Sequence, residues 1–570
     1  MYRSQRATSS DGETRHRGRL LAGILMVGCA VIVLRLVELQ VIEHGRWVRA
    51  AAAMQEKVVD VWPRRGAIYD RDGVVLAFDV KAVAIAIDSY NMTRPVKLVE
   101  ILAKELRRPA AEISERVYRS SYFTWIDRQV DLETARRIEA QADEAGAYGL
   151  IFLDAWKRFY PQGRLASNVL GFVGADGEGL EGLELTHDEA LRGTPTRVRI
   201  VAGADGRTYS FDVIEEGKPG RDLHLTLDAG LQFVCEDEIE KSVERLQATS
   251  GMIVVLEPET GGILAMAQDK GYNLNQFWVS TPAQRRNLAL TFMLEPGSVF
   301  KVFTGLAALE AGTVTPGDRF NGNDGIQIGG HTIHNADNES YGTVTFAQVI
   351  ADSVNTAMVR VGLDLGKERL HKALVSFGFG APTGVELPGE AKGILRDAKQ
   401  WSDLDLASTS YGQSIAVTAM QLARGLAIVA NGGVLVSPHV LLPDGRSARK
   451  SEATEPRAVL SERTCATMMD LMVGVVRHGT GTYAAVEGFS VAGKTGTAQK
   501  AVAGQGYASG KYTSLFGGIL PAEDPEYVIM VILDEVGYGP VGGGATAGPV
   551  FSSVATRWVR MGELIPVAGL

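Results

Sequence analysis

The 570-residue chain has only three cysteines, Cys29, Cys235 and Cys465, and no disulfide framework can be read from them. Cys29 lies in an apolar run; Cys235 and Cys465 could pair, but spacing alone does not decide it. Positive charge is not in excess either. The 58 basic side chains face 67 acidic ones, a net charge of −9, which argues against the basic surface that a nucleic-acid partner requires. No internal repeat or low-complexity tract is evident. What remains, with 45% hydrophobic and 22% charged residues, is a globular protein too long for one core, so two or three domains are expected.

Leu20 to Leu34 is uncharged, and Leu36, Val37 and Leu39 extend the apolar run past Arg35. Since roughly 20 residues cross a bilayer, Arg35 is expected to snorkel to one interface. Arg3, Arg6, Arg15, Arg17 and Arg19 precede the run. That excess predicts a cytoplasmic tail over residues 1–19, an uncleaved anchor over 20–40, and everything beyond it outside the cell membrane. A cleaved signal peptide would need an A-x-A-like site, and none follows. A lipoprotein signal at Gly28-Cys29 would turn polar where Ala30 to Leu34 stays apolar.

Between residues 41 and 219 short β-like runs alternate with polar helical stretches. Val80 to Ile87 reads as a strand and Leu98 to Leu106 as a short amphipathic helix. Nothing there assembles a nucleophile and a base, so the region reads as scaffold. A second unit, 220–570, begins with a helix over Leu231 to Leu246 and a hairpin of Met252 to Leu256 with Ile263 to Ala267. It ends with strands at Ser514 to Leu520 and Tyr527 to Leu533. Helices such as Arg369 to Phe377 and Val417 to Ala430 lie between. Strands at both ends predict an antiparallel sheet closed by the two termini and flanked by helices, an α+β fold.

Three short runs carry the chemistry. Ser298-Val299-Phe300-Lys301 follows the helix-breaking Pro296-Gly297 and opens an almost wholly apolar helix. A serine there meets free backbone N–H groups and the positive end of the dipole. Lys301 falls on the same face, and in an apolar pocket its amine loses basicity enough to take the serine proton. Ser447-Ala448-Arg449-Lys450 fits the same pattern but reads as solvated loop. Ser353-Val354-Asn355 supplies a hydroxyl that can relay a proton and an amide that can bind a peptide; Ser353 also reads as a helix cap before Thr356. Ser89-Tyr90-Asn91 shares that spacing. Lys494-Thr495-Gly496-Thr497 occurs once, after a strand-like Phe489 to Gly493. Its ammonium and hydroxyls would bind a substrate carboxylate, and Gly496 would let a ligand backbone approach. His331-Thr332-Ile333-His334 has a zinc-like spacing, but no cysteine lies nearby, and it reads as a polar loop.

The order S-x-x-K, S-x-N, K-T-G resembles the active-site set of penicillin-inactivated serine acyltransferases. Arg65-Gly66-Ala67-Ile68-Tyr69-Asp70-Arg71-Asp72-Gly73 resembles the R-G-x-I-x-D-R-x-G signature of the class B penicillin-binding proteins. Arg164-Leu165-Ala166 through Gly171, Gly179-Leu180-Glu181-Gly182-Leu183-Glu184 and Ser410-Tyr411-Gly412-Gln413 are similar to later motifs of that class. The resemblance implies a transpeptidase fold over 220–570, preceded by a mainly β pedestal or dimerisation-type domain over 41–219 and a transmembrane helix. It implies D,D-transpeptidation of peptidoglycan through a Ser298 acyl-enzyme. Lys301, Ser353, Asn355 and Lys494 would be catalytic, Thr495, Gly496 and Thr497 would bind substrate, and the backbone amides of Ser298 and Thr497 would form the oxyanion hole. No metal or organic cofactor is implied. The implied ligands are stem peptides and β-lactams, and the implied partners a SEDS-type glycan polymerase and other divisome membrane proteins. Chain length, the short tail and Thr383-Gly384-Val385-Glu386-Leu387-Pro388-Gly389-Glu390 resemble the septal, cell-division type; the elongation type is the alternative.

Other classes fit less well. A class A β-lactamase would carry an E-x-x-L-N run, which is absent, and has no use for a membrane-proximal region. A β-lactam sensor would place several spans before the domain. An idle scaffold would normally show one run degraded, and all three are intact.

Overall fold

The computed structural model describes residues 10–48, 56–89, 91–119, 123–202, 208–442, 455–502, 506–539 and 542–562. The second S-x-x-K, at Ser447, and Tyr90 of the Ser89 run lie outside them. Helix α1 (Ser10–Val37) continues through a π-helical turn (Glu38–Ile42). Its apolar side chains are exposed, Leu25 by 70%, as a helix built to face lipid would be. The span Arg15–Ile42, at 1.5 Å per residue, is longer than the roughly 30 Å hydrocarbon core. Arg35 pairs with Glu38 on its exposed side.

The membrane-proximal region has two sheets. One joins β1 (Glu56–Val61), β6 (Thr196–Ala202) and β7 (Thr208–Glu215) in the order β1-β6-β7. The other centres on the long β3 (Val75–Asp88), paired antiparallel with β4 (Phe123–Asp131) and β5 (Leu150–Phe159). Three helices, α2 (Pro95–Leu106), α3 (Ala110–Val117) and α4 (Leu132–Glu144), cover it. Alternation along β3 explains this: Ile85 and Ile87 pack with Leu98, Leu102, Ile113 and Ile138 in one closed core.

Under these sheets lies a buried charge cluster. Arg65 Nε and Arg158 Nε each donate to one oxygen of Glu184 at 2.7 Å, and Arg65 Nη1 donates to Asp188 at 2.6 Å. Asp79 accepts from the Arg65 backbone N–H and from Arg158, while the Tyr160 hydroxyl donates to Glu184. Glu184 has no exposed surface, so its charge is tolerable only because both its oxygens are paired. The first signature run and the Gly179–Glu184 run thus meet at one ion network.

The same signature run joins the two halves. Strand β2 (Ile68–Tyr69) pairs antiparallel with β3 and parallel with β8 (Leu223–His224). Asp70 Oδ1 accepts the backbone N–H groups of Asp72 and Val74, and Oδ2 accepts that of Ala229, the first residue of α5 (Ala229–Leu246). Ile68, Leu76 and Leu223 share one continuous core with the catalytic half.

That half is a five-stranded antiparallel sheet in the order β10-β9-β13-β12-β11. Its strands are β9 (Ser250–Leu256), β10 (Ile263–Gln268), β11 (Ala492–Val502), β12 (Gly506–Leu520) and β13 (Tyr527–Asp534). Helices cover both faces, so β9 is apolar at consecutive positions instead of alternating. Met252, Val254 and Leu256 face α6 (Lys301–Glu310), α8 (Ala419–Ala430) and α9 (Glu462–His478); α7 is Asn355–Leu365, in the same layer. Ile253 and Val255 face α5 and α10 (Gly543–Arg560). The expected sheet closed by the chain's two ends is therefore present. Cys235 and Cys465 are free and buried, not paired.

Replacing Glu184 by Ala leaves two buried arginines without their shared carboxylate. Chemical denaturation should show a loss of about 3–5 kcal/mol, against almost none for the same change at exposed Glu259.

Candidate active site

Gly297–Phe300 forms a 3₁₀ turn that leads into α6, so Ser298 stands one turn ahead of the α-helix proper. Gly297 has φ of +52°, a conformation that a side chain resists, and its N–H donates to Gly412 O at 3.0 Å. The Ser410–Gln413 run is thus the buttress of the serine turn. On the other side the turn rests on β11. A Cβ at Gly496 would lie 2.8 Å from Val299 Cγ2 and 3.0 Å from Pro296 O. Gly496 was expected to admit a ligand backbone; what approaches it is the chain's own serine turn. The run Lys494–Thr497 lies inside β11, whereas the strand was expected at Phe489 to Gly493.

The lysines converge on one hydroxyl. Lys301 Nζ donates to Asn355 Oδ1 at 2.7 Å and to the Ser353 carbonyl, and lies 3.1 Å from Ser353 Oγ. Lys494 Nζ, from the sheet side, donates to the same Ser353 Oγ at 2.9 Å. Ser353 reaches both because it sits at φ of +60°, a strained left-handed position for a serine. It does not cap α7. Val354 occupies the cap position without a side-chain bond, and Asn335 Oδ1, from a distant loop, accepts the Thr356 N–H at 3.0 Å instead. Asn355 Nδ2 donates to His334 O, which ties the His331–His334 loop to the site. His334 pairs with Asp324, and no metal-ligand cluster exists among the described residues.

Both lysines are fully buried. Burial, followed by the neighbouring Lys494 charge, pushes the Lys301 ammonium well below the ordinary lysine range. Burial also lowers Lys494, to about 7, with Asp352 opposing. The two nitrogens are at most 6.0 Å apart, since both reach one oxygen. At an effective dielectric of about 20, two charges at that distance repel by about 3 kcal/mol. One proton must therefore leave first. Lys494 has a carboxylate near it and Lys301 has none among the groups that shift it, so the loss of basicity falls more heavily on Lys301.

Thr495 and Thr497 differ. Thr495 is 6% exposed, with its hydroxyl 2.7 Å from that of Thr480 and its carbonyl accepting from Lys494. In this arrangement its contacts are to Thr480 and Lys494. Thr497 is exposed; its Oγ1 accepts the Gly543 N–H, which leaves the hydroxyl hydrogen free to donate outward. Lys494 itself has no exposed surface, and its link toward the crevice is its bond to Ser353 Oγ. Beyond Thr497 a cleft of about 430 Å³ runs past Ala498, Glu295, Ser414 and Arg396. Sequence reasoning missed Thr480, Asn335 and Asp352. Only Asp352, adjacent to Ser353, had a signal that could have been followed.

Residues 251–556 match the family described as penicillin binding protein transpeptidase domain, and residues 60–225 that described as penicillin-binding protein dimerisation domain. The chain is 34% identical to the probable peptidoglycan D,D-transpeptidase PbpC of Pseudomonas aeruginosa, over 97% of this chain and 96% of that protein. It is 32% identical to penicillin-binding protein PbpB of Mycobacterium tuberculosis, over 97% of this chain and 86% of that protein. The crystal structure of penicillin-binding protein 3 from the same organism, complexed with aztreonam, aligns with a TM-score of 0.69 at 29% identity. That alignment covers 90% of this chain and 98% of the other.

The burial of Lys494 can be read directly. With ¹³C at lysine Cε, one resonance should titrate near pH 7 and vanish in Lys494→Met. In that variant Lys301, freed of its repelling neighbour, should hold its proton to higher pH. If every lysine titrates at the ordinary value of about 10.4, the account of this pocket fails.

Proposed function

Because the chain belongs to the class B penicillin-binding proteins, which are peptidoglycan D,D-transpeptidases, we propose that Ser298 is its nucleophile and the Lys301–Ser353–Lys494 cluster its proton relay. The observation that carries this reading is the single hydroxyl, Ser353 Oγ, shared by two buried lysines. Neutral Lys301 takes the Ser298 hydroxyl proton as Oγ attacks the carbonyl of the penultimate D-Ala. Negative charge then collects on the carbonyl oxygen. The backbone N–H groups of Ser298 and Thr497 receive it; the serine turn abuts Thr497, where a Cβ on Gly297 would lie 2.8 Å from the Thr497 carbonyl. The C–N bond breaks, and the leaving D-Ala amine takes a proton from Ser353, which Lys301 replaces. In the second half-reaction an amine of a neighbouring stem attacks the ester and gives its proton to Lys301, which passes it to Ser298 Oγ as the ester C–O bond breaks. Lys494 keeps its proton throughout, draws the substrate carboxylate to Thr497 by its field, and polarises Ser353. Asn355 holds Lys301 and the adjoining loop.

The role proposed in the cell is septal cross-linking. The resemblance of residues 383–390 to the septal type supports it; that run closes into a loop by Thr383 N–H to Glu390 at 2.7 Å and touches the pedestal through Thr186 and the Glu386 carbonyl. A relative named FtsI, from Buchnera aphidicola, is 29% identical over 94% of the chain. We further propose that α1 crosses the cytoplasmic membrane once with residues 1–19 inside, and that α1 and residues 41–219 meet a SEDS-type glycan polymerase and other divisome proteins. The domain limits proposed are 1–19, 20–40, 41–219 and 220–570.

A fluorescent penicillin should label the wild type persistently and Ser298→Ala not at all; rapid loss of label would mean a β-lactamase. The pH dependence follows from the two lysines. Lys301 is shifted well below the ordinary lysine range, whereas Lys494 loses its charge as pH rises through about 7. The labelling rate should therefore fall on the alkaline side, and Lys494→Arg should abolish that fall because guanidinium keeps its proton. Depletion in cells should give filaments. Rounded cells would assign the protein to elongation.

A further inference from the structure

A sizeable concavity lies well away from Ser298, in the pedestal. A cleft of about 760 Å³ opens in the pedestal between the β3–β4–β5 face and the β1–β6–β7 sheet. Three of the chain's seven tryptophans line it: Trp62 after β1, Trp125 on β4 and Trp156 on β5. All three are half-buried. The Arg192 guanidinium covers Trp62 at 3.6 Å and that of Arg128 lies 4.9 Å from the Trp125 ring. Trp156 stacks on no other ring or cation among the described residues.

The floor of this cleft holds a donor without an acceptor. Arg158 is 7% exposed; its Nε and Nη1 are taken by Glu184, Gly66 O and Asp79, but Nη2 has no hydrogen-bond partner. A buried guanidinium nitrogen left unbonded costs stability unless something bonds it. The four arginines of the lining face five carboxylates, so the cleft carries almost no net charge. That excludes a polyanion as its occupant. Flat apolar faces set among charged and amide side chains suit a ligand with flat C–H faces and many hydroxyl or amide groups.

We propose that this cleft binds a saccharide, namely the glycan strand of alternating N-acetylhexosamines from which the stem peptides of the substrate hang. The inference rests on the transpeptidase reading. A pyranose ring lies on the open face of Trp156, its rim hydroxyls and acetamido groups meet Arg128, Asp154 and Gln129, and a sugar oxygen accepts from Arg158 Nη2. Holding the strand here raises the effective concentration of its stem peptides at the crevice without any new contact to the peptide.

The test uses the full-length chain in detergent and a tetrasaccharide of alternating N-acetylglucosamine and N-acetylmuramic acid, peptide-free with its lactyl carboxyls as simple amides so that it is uncharged, with cellotetraose as control. Tryptophan fluorescence should change with the first sugar and not with the second. Trp156→Ala should weaken binding by about tenfold or more. Arg128→Gln, at the exposed rim, should weaken it too if Trp156→Ala fails to fold. Fluorescent penicillin should label both variants at the wild-type rate, which separates this site from the crevice; a wild type that takes no label would sink the proposed function and not the saccharide site. In cells, a photo-crosslinking residue at position 125 should yield a ladder that lysozyme collapses. Binding that the variants leave unchanged, no response to the tetrasaccharide, or one lysozyme-resistant protein adduct at position 125 would each overturn the proposal.

Discussion

Two lysine ammoniums cannot both keep their protons in one buried pocket, and the architecture of the catalytic half serves to hold them there. Lys301 comes from the first turn of a helix, Lys494 from an edge strand, and the oxygen between them from a left-handed serine at the end of a third segment. No local interaction joins these three pieces of chain. They meet because α6 and the layer containing α7 pack on one face of the sheet whose edge is β11. The electrostatic penalty is what makes the site reactive: a well-solvated lysine would be protonated at neutral pH and useless as a base.

The pedestal contains the opposite arrangement. Arg65 and Arg158 are buried nearly as deeply as the lysines, yet each meets carboxylates, and Glu184 is bonded through both oxygens. Burial holds the carboxyl of Asp79 above its ordinary range, while Arg158 opposes the rise. Compensated charge of this kind adds little net stability but penalises every alternative packing, since moving one partner strands the others. One molecule thus uses buried charge in two ways, unpaired where protons must move and paired where geometry must not.

Much of this was legible in the sequence because it rests on local patterning. The apolar runs at Met252 to Leu256 and Tyr527 to Leu533 are strands covered on both faces, and their unbroken hydrophobicity reports that. The arginine and glutamate of the two pedestal runs could be quoted as motifs, though nothing in either run says that they touch across more than a hundred residues. The misreadings have a common cause. Ser353 looks like a cap because serine before a helix usually is one, yet Asn335, far away in sequence, takes that duty and leaves the serine free. Gly496 looks like room for a ligand, whereas the space is filled by Val299 and Pro296. Thr495 and Thr497 share a strand face, but Thr480 covers only the first. Each error assigns to a local neighbour a contact that tertiary packing supplies.

A transpeptidase must hold two stem peptides of one polymer, and the joint between its halves bears on how. Were the pedestal tethered loosely, a glycan strand held there would have many positions relative to Ser298, and the gain in effective concentration would be diluted over them. The joint is not loose. Ile68 and Leu223 are fully buried in one core, Tyr69 stacks on His224 at 5.0 Å, and Asp70 fixes the first N–H of α5. The β2–β8 pairing is only two residues long, so hydrogen bonds alone would not make it stiff; the shared apolar core does. A strand seated beside Trp156 would then stand at a set distance and direction from the crevice. The signature run at Arg65–Gly73 builds both ends of that relation: Arg65 anchors the network beneath the cleft and Asp70 anchors the helix that carries the catalytic sheet. Its value to the enzyme is geometric, which is why it holds no nucleophile and no base.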